Sequence, residues 1–184
     1  IRDREKASFK RLDDGTWLVS GVTAAKETYV LEAPLASGLL TAVRLEALPD
    51  DSHPGKSLGR ASNGNFVLSG FEVRLLTADG KTTNIPLTKA EADYDQPGWS
   101  IAKLAPAPMS KGKPKKADND KAGWAIGGNV AENRVPRKAI FSFAPTTVPA
   151  GAKLVVVMRH DSVAQHSIGR FRLNVSGQDP KLLS

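Results

Sequence analysis

Short apolar runs recur along the whole chain, and each is bounded by glycine, proline, asparagine or aspartate. Almost none repeats with the period of a helix, and the clearest alternate between apolar and polar positions. Alternating runs at even spacing are typical of an antiparallel β-sandwich or barrel. We therefore predict an all-β chain with strands at 16–22, 27–33, 40–48, 65–76, 82–88, 123–128, 137–143, 152–160 and 169–176.

Two of these runs predict how their strands face the core. In the last run, Phe171, Leu173 and Val175 alternate with polar side chains and are expected to point inward. In the run at 65–76, the apolar positions before and after Ser69-Gly70 are offset by an odd number of residues. A β-bulge at Ser69-Gly70 would return both groups to the core, and glycine favours a bulge.

Two segments differ from this pattern. Residues 88–96, "TKAEADYDQ", are the only helix-like stretch and are predicted to form one or two helical turns. Residues 105–121 contain five lysines within 111–121 and are punctuated by proline and glycine. We expect a flexible basic insert there, within a single domain that spans 1–184.

Composition excludes several classes of protein. Cysteine is absent, which excludes disulfides, thiolate metal sites, iron–sulfur clusters and covalently attached haem in this chain. No apolar run approaches the roughly 18 residues of a transmembrane helix, so membrane insertion is not expected. The opening "IRDREKASFKRL" indicates a piece of a longer protein.

Four motifs resemble a known module. In order, "LEALPDDSHPGKSLGRASNGNFVLSGFEV", "AEADYDQPGWSIA", "GWAIGG" and "HSIGRFRLNVS" are similar to a module of large planctomycete proteins that also carry cytochrome c-like domains and the regions named PSCyt and PSD. The resemblance extends over residues 8–177. More distantly, "LSGFEV", a loop tryptophan and the closing "GRFRL" resemble the galactose-binding or discoidin-type jelly roll. This chain departs from the module at Gly70, where a glutamate is common, and in its longer, lysine-rich segment before "GWAI".

The resemblance implies a jelly-roll β-sandwich in an extracytoplasmic protein, periplasmic or secreted, that binds a polysaccharide and contacts other domains of its parent chain. Sugar recognition needs exposed aromatic rings and polar side chains that bind hydroxyl groups. The expected rings are Trp99, Trp124 and Tyr94, although a core position is the alternative for each tryptophan, and Trp17 is expected in the core. The expected polar partners are Arg60, Asn63, Asn65, His53 and Arg170.

A structural Ca²⁺ is one option, because jelly-roll modules often bind a hard cation with carboxylates and carbonyls. The candidate ligands are Asp118 and Asp120, with Asn119 between them and Glu72 in a strand. A solvated loop is the alternative. The spacing of His160 and His166 is not diagnostic of a zinc site, so His53, His160 and His166 are expected to be surface or loop histidines.

Other activities have little support in the sequence. There is no G-x-S-x-G motif and no evident acid–base pair, so no catalytic activity is expected. The segment "GRASNGN" leads into a strand and lacks the Gly-Lys-Ser/Thr of a phosphate-binding loop. The lysine-rich segment has no interleaved aromatic residues, so specific nucleic-acid binding is not expected despite the net charge of +7.

The sequence therefore predicts a non-catalytic carbohydrate-binding module for a polysaccharide, with an anionic polysaccharide among the options. The alternative is a structural or protein-interaction domain that packs against neighbouring domains of the parent protein. A binding module should have a concave, aromatic-lined site, whereas a packing domain should have a flat apolar patch.

Overall fold

A computed structural model describes residues 7–105 and 122–182 of the chain. This part contains short 3-10 helices but no α-helix, and none of its helices is long and apolar enough to span a bilayer. The 3-10 helices are Pro54–Lys56, Ile101–Leu104, Ala131–Asn133 and Pro180–Leu182. The strands are β1 (Ala7–Arg11), β2 (Trp17–Gly21), β3 (Glu27–Pro34), β4 (Gly38–Ala47), β5 (Val67–Leu68), β6 (Gly70–Leu76), β7 (Thr82–Ile85), β8 (Leu87–Ala92), β9 (Trp124–Ala125), β10 (Arg137–Val148), β11 (Lys153–His160) and β12 (Arg170–Ser176).

The predicted antiparallel β-sandwich is confirmed. One sheet has the order β1-β2-β12-β4-β10-β8, and the other has the order β3-β11-β6-β7. All neighbouring strands are antiparallel. β5 and β9, with two residues each, pair with each other in a separate two-stranded sheet. The core lies between the two sheets, where Phe71 of β6 stacks on Phe141 of β10 with their ring centroids 3.6 Å apart. Apart from residue 105, the predicted basic insert lies outside the described residues.

The predicted helical turns at 88–96 are wrong, because this segment contains most of β8. β8 pairs with β10, and the register shifts between Ser142 and Phe143. The shift places an extra residue, Thr88, between Leu87 and the rest of the strand, so Leu87 and Ala90 are both buried. Two inward apolar residues three positions apart imitate the spacing of a helix face.

The interruption of the apolar pattern at Ser69 does mark a bulge. The Ser69 amide donates to the carbonyl oxygen of Arg159, and Gly70 pairs with the same residue. Two residues of one strand therefore lie opposite one residue of β11. As a result Leu68 and Phe71 are both buried, although they are three positions apart.

The glycine-rich segment at 59–65 is part of the interior. Only Ser62 and Asn63 of this segment are exposed, and Phe66 directly after it is fully buried. A Cβ atom at Gly59 would lie 1.9 Å from the backbone oxygen of Asn65. Glycine is therefore required at position 59 for two backbone segments to approach closely.

We expect Gly59→Ala to lower the free energy of unfolding by about 1–3 kcal/mol, since backbone atoms must move to admit the methyl group. The matched control is Gly70→Ala. Its Cβ would meet only the side chain of Arg159, at 3.2 Å, so a change below about 1 kcal/mol is expected. Urea unfolding followed by circular dichroism measures both, and equal losses in the two variants would contradict the close-approach argument.

Candidate functional site

Arg60 lies inside the protein, where its contacts are intramolecular. Its guanidinium forms an ion pair with Glu27, with 3.1 Å between Nη1 and Oε2, and the two side chains are 4% and 8% exposed. Nη2 also donates to the backbone carbonyls of Ser20, Gly21 and Val22. Arg60 therefore connects the end of β2 to the start of β3. Its guanidinium is occupied by these contacts and is not available to a sugar.

Asn65 has a similar structural role. Its Nδ2 donates to Oε1 of Gln96 at 2.9 Å, and its Oδ1 accepts from the Gly128 amide at 3.1 Å. Asn63 is exposed, and its side-chain oxygen accepts from the Asn65 amide, which closes a local turn. Of the two asparagines expected to bind hydroxyl groups, only Asn63 therefore faces solvent.

Two of the three expected aromatic rings are not free platforms. Trp124 is fully buried, and its Nε1 donates to the Tyr94 carbonyl at 2.9 Å. The guanidinium carbon of Arg137 lies 4.3 Å from the centroid of the Tyr94 ring, so that ring already has a cationic partner. Trp99 is half-buried, so part of its indole is exposed to solvent.

His53 and Arg170 also stabilise the fold. A Cβ at Gly169 would lie 2.4 Å from the His53 ring, and burial lowers the pKa of that buried histidine. Arg170 pairs with Asp14 at 2.6 Å and with Asp50 at 3.3 Å. Hydrogen bonds from Thr16, helped by Arg170, lower the pKa of Asp14 to about 2.

The expected calcium site receives no support from the described residues. Glu72 lies between Arg74 and Arg159, and the hydrogen bond from Arg159 lowers the pKa of its carboxyl group. A carboxylate with two guanidinium partners is a poor ligand for a cation. Asp118, Asn119 and Asp120 lie outside the described residues, and within 7–105 and 122–182 no three acidic or histidine side chains are placed to bind a metal.

A concave site lies elsewhere, at the open side of the sandwich. A cleft of about 700 Å³ separates β1, β2 and β12 of one sheet from β3 and β11 of the other. We call it the edge cleft, and its walls include Phe9, Arg11, Trp17, Leu31, Leu154 and Val175. The sequence pattern did not predict this site.

The edge cleft exists because two adjacent strands, β2 and β12, are offset along each other and overlap only in part. β2 pairs with β12 only at Arg170 and Phe171, whereas β4 pairs with β12 from Phe171 to Ser176. Beyond Phe171, no described strand continues the sheet on the side of β2. The inward-facing Leu173 is therefore only partly buried, and Val175 is 47% exposed.

Trp17 is the largest aromatic group in the cleft. It was expected in the core, but it is half-buried and packs against the core with one part while another part lines the cleft. Phe9, 43% exposed, lies on the same wall and packs edge-on against Tyr29. The alternation of β2 correctly places Trp17 on the inner face. Trp17 remains accessible because it is the first residue of β2, and the pairing of β2 with β12 stops there.

The polar groups of the cleft are few. Arg11 lies directly opposite Trp17 in the β1–β2 pair. Glu32 lines the opposite wall, and its carboxylate binds the ammonium group of Lys153 at 2.8 Å. The cleft thus combines an indole, aliphatic walls and one guanidinium, which suits noncovalent binding of a ligand with both apolar and polar faces.

Comparisons of the chain with protein-family models, curated proteins and solved structures found no match.

Proposed function

We propose that this chain is a non-catalytic carbohydrate-binding module that holds a segment of a polysaccharide in the edge cleft. The observation that carries the proposal is the half-buried indole of Trp17 in the wall of a concave site. A pyranose ring has an apolar face that stacks on such an indole, while its hydroxyl groups need polar partners at the rim. The cleft volume of about 700 Å³ lies within the range of ligand-binding clefts.

The sandwich architecture and the resemblance to the planctomycete module support the same proposal. In that setting the module would belong to an extracytoplasmic multidomain protein and would deliver it to a polysaccharide. The lysines within 111–121 would add nonspecific attraction to anionic polymers, which salt weakens.

We expect Trp17→Ala to weaken polysaccharide binding by roughly tenfold or more, because the stacking surface is lost. Affinity electrophoresis against neutral, uronic and sulfated polysaccharides, in about 0.3 M salt, measures the effect while suppressing long-range charge attraction. Trp99→Ala is the matched control, since it removes a half-buried indole from a loop outside the cleft.

Thermal unfolding must first show that Trp17→Ala is folded, and Trp17→Phe, which keeps a smaller ring, should retain part of the affinity. Loss of binding in Trp99→Ala with full binding in Trp17→Ala would place the site in the loop at 96–99 and reject the edge cleft.

A second candidate function is a protein-interaction domain. It is favoured by aliphatic side chains that line the cleft yet remain exposed, with Val30 at 64% and Val175 at 47%. The polysaccharide panel separates the two functions, because a domain that only packs against its neighbours should be retarded by no polymer. In that case Val30→Asp should weaken association with adjacent domains of the parent chain, measured by co-elution in size-exclusion chromatography.

A further inference from the structure

We infer that the edge cleft selects an anionic polysaccharide, with Arg11 binding the carboxylate or sulfate group of a sugar whose ring stacks on Trp17. This inference rests on the proposed function and adds the chemical class of the ligand.

The first step is the placement of Arg11. Arg11 and Trp17 are directly opposite residues of the antiparallel β1–β2 pair, so their side chains leave the same face of the sheet. Both line the edge cleft. Side chains in such a pair start about 5 Å apart, which allows one sugar residue to contact the indole with its ring and the guanidinium with a substituent.

The second step is that the Arg11 side chain has no partner among the described residues. Within residues 7–105 and 122–182, the guanidinium of Arg11 makes no hydrogen bond, ion pair or ring contact. The other described arginines each have at least one such contact. Carboxylates are partners of Arg44, Arg60, Arg74, Arg159, Arg170 and Arg172, and backbone carbonyls accept hydrogen bonds from Arg134 and Arg137.

The third step is the charge around Arg11. Among the described residues that line the cleft, Glu32 is the only one with a carboxylate, and Lys153 already neutralises it at 2.8 Å. Among these described residues, Arg11 therefore provides one uncompensated positive charge next to the aromatic wall of the cleft. A guanidinium binds a carboxylate or sulfate through two parallel hydrogen bonds, which are stronger than its bonds to a neutral hydroxyl group.

The position of Arg11 also distinguishes this interaction from general attraction by basic residues. Side chains alternate along β1, so Lys10 leaves the opposite face from Phe9 and Arg11 and does not line the cleft. Loss of one positive charge at position 10 or at position 11 changes the net charge equally. Only the second change removes a charge beside Trp17.

The test uses polymers that differ only in charge. Polygalacturonate is compared with the same polymer after carboxyl reduction, and a sulfated galactan is compared with its desulfated form, all in about 0.3 M salt. The protein is the full chain, as wild type and as Arg11→Gln, Lys10→Gln and Trp17→Ala. Dissociation constants are measured by affinity electrophoresis and by calorimetry.

We expect the wild type and Lys10→Gln to bind at least one anionic polymer about tenfold more tightly than its neutral counterpart. Arg11→Gln should bind the two forms equally, and Trp17→Ala should bind both weakly. The polymer pair that shows the preference identifies carboxylate or sulfate as the group that Arg11 binds.

Several results would overturn the inference. An anionic preference that persists in Arg11→Gln, or that falls equally in Lys10→Gln, would assign it to nonspecific charge. Equal binding of charged and neutral polymers by the wild type would reject the inference and leave the proposed function standing, whereas no binding to any polymer would reject both. If polyglutamate competes for the site as effectively as polygalacturonate does, the cleft binds acidic polymers in general and does not recognise the sugar.

Discussion

Replacement of Arg60 with methionine is expected to lower the free energy of unfolding by about 3–5 kcal/mol. Methionine keeps much of the volume of the side chain but leaves the Glu27 carboxylate, 8% exposed, without its guanidinium partner. The backbone carbonyls of Ser20, Gly21 and Val22 also lose the donor that joins β2 to β3. A buried charge without a partner is far more costly than the absence of the pair.

The double variant Arg60→Met/Glu27→Leu should therefore recover most of the loss, which a double-mutant cycle measures by urea unfolding. The matched control is Arg74→Met. It removes one guanidinium from Glu72, where both side chains are about one-third exposed, and should change the stability by less than about 1 kcal/mol. Equal losses of unfolding free energy in Arg60→Met and Arg74→Met would show that burial of an ion pair does not determine how much stability is lost when its arginine is removed.

The second prediction is that the free energy of unfolding falls in mild acid, and that His160 causes most of this fall. This histidine is 1% exposed, and within the described part of the chain neither of its ring nitrogens has a hydrogen bond of good geometry. The ring centroids of His160 and Tyr29 are 4.7 Å apart. Burial lowers the pKa of His160 from 6.5 to about 3, so the folded protein holds it neutral where the unfolded chain binds a proton. The stabilisation is complete above pH 6.5 and is lost as the pH falls toward the folded-state pKa.

At about pH 4.5, protonation of His160 in the unfolded chain should lower the free energy of unfolding by about 3 kcal/mol relative to neutral pH. His53, whose pKa burial also lowers, adds a change of the same sign. The carboxyl groups of Asp14, Glu46 and Glu72 have lowered pKa values, so they lose their stabilisation only in stronger acid.

Urea unfolding at a series of pH values from about 7.5 to 4.5 tests this expectation, with His160→Leu as the variant that removes the titrating group. The variant should show a much flatter dependence than the wild type. If His160→Leu does not fold, His160→Phe offers a second apolar replacement. The same slope in the wild type and the variant would mean that His160 is not the group that titrates.

Local residue patterns determined the fold class and several details of it. Alternation in β12 correctly placed Phe171 and Leu173 toward the core, and the odd offset at Ser69 correctly predicted a bulge. The pattern failed at β8 because a bulge beside Ser142 gave its buried residues the spacing of a helix. Local sequence carries strand periodicity, but a bulge in a paired strand depends on its distant partner.

The candidate site depended on the tertiary structure. Arg60 and Asn65 follow a glycine-rich turn and have the composition of a binding loop, yet their partners, Glu27 and Gln96, are more than thirty residues away in the chain. No local signal shows that these partners fold over the segment and bury it. Trp124 is buried for the same reason, because its contacts with Phe66 and with the Tyr94 backbone are also distant in the sequence.

The sequence by itself determined that the chain forms an antiparallel sandwich and that Trp17, Phe171 and Leu173 share its inner face. Only the tertiary structure decided that the pairing of β2 with β12 stops at Phe171 while β12 continues to Ser176, which opens the edge cleft and leaves Trp17 and Arg11 accessible. The physical reason is that the facing of a side chain is set by the two-residue period of its own strand, whereas its exposure is set by how far the neighbouring strands extend.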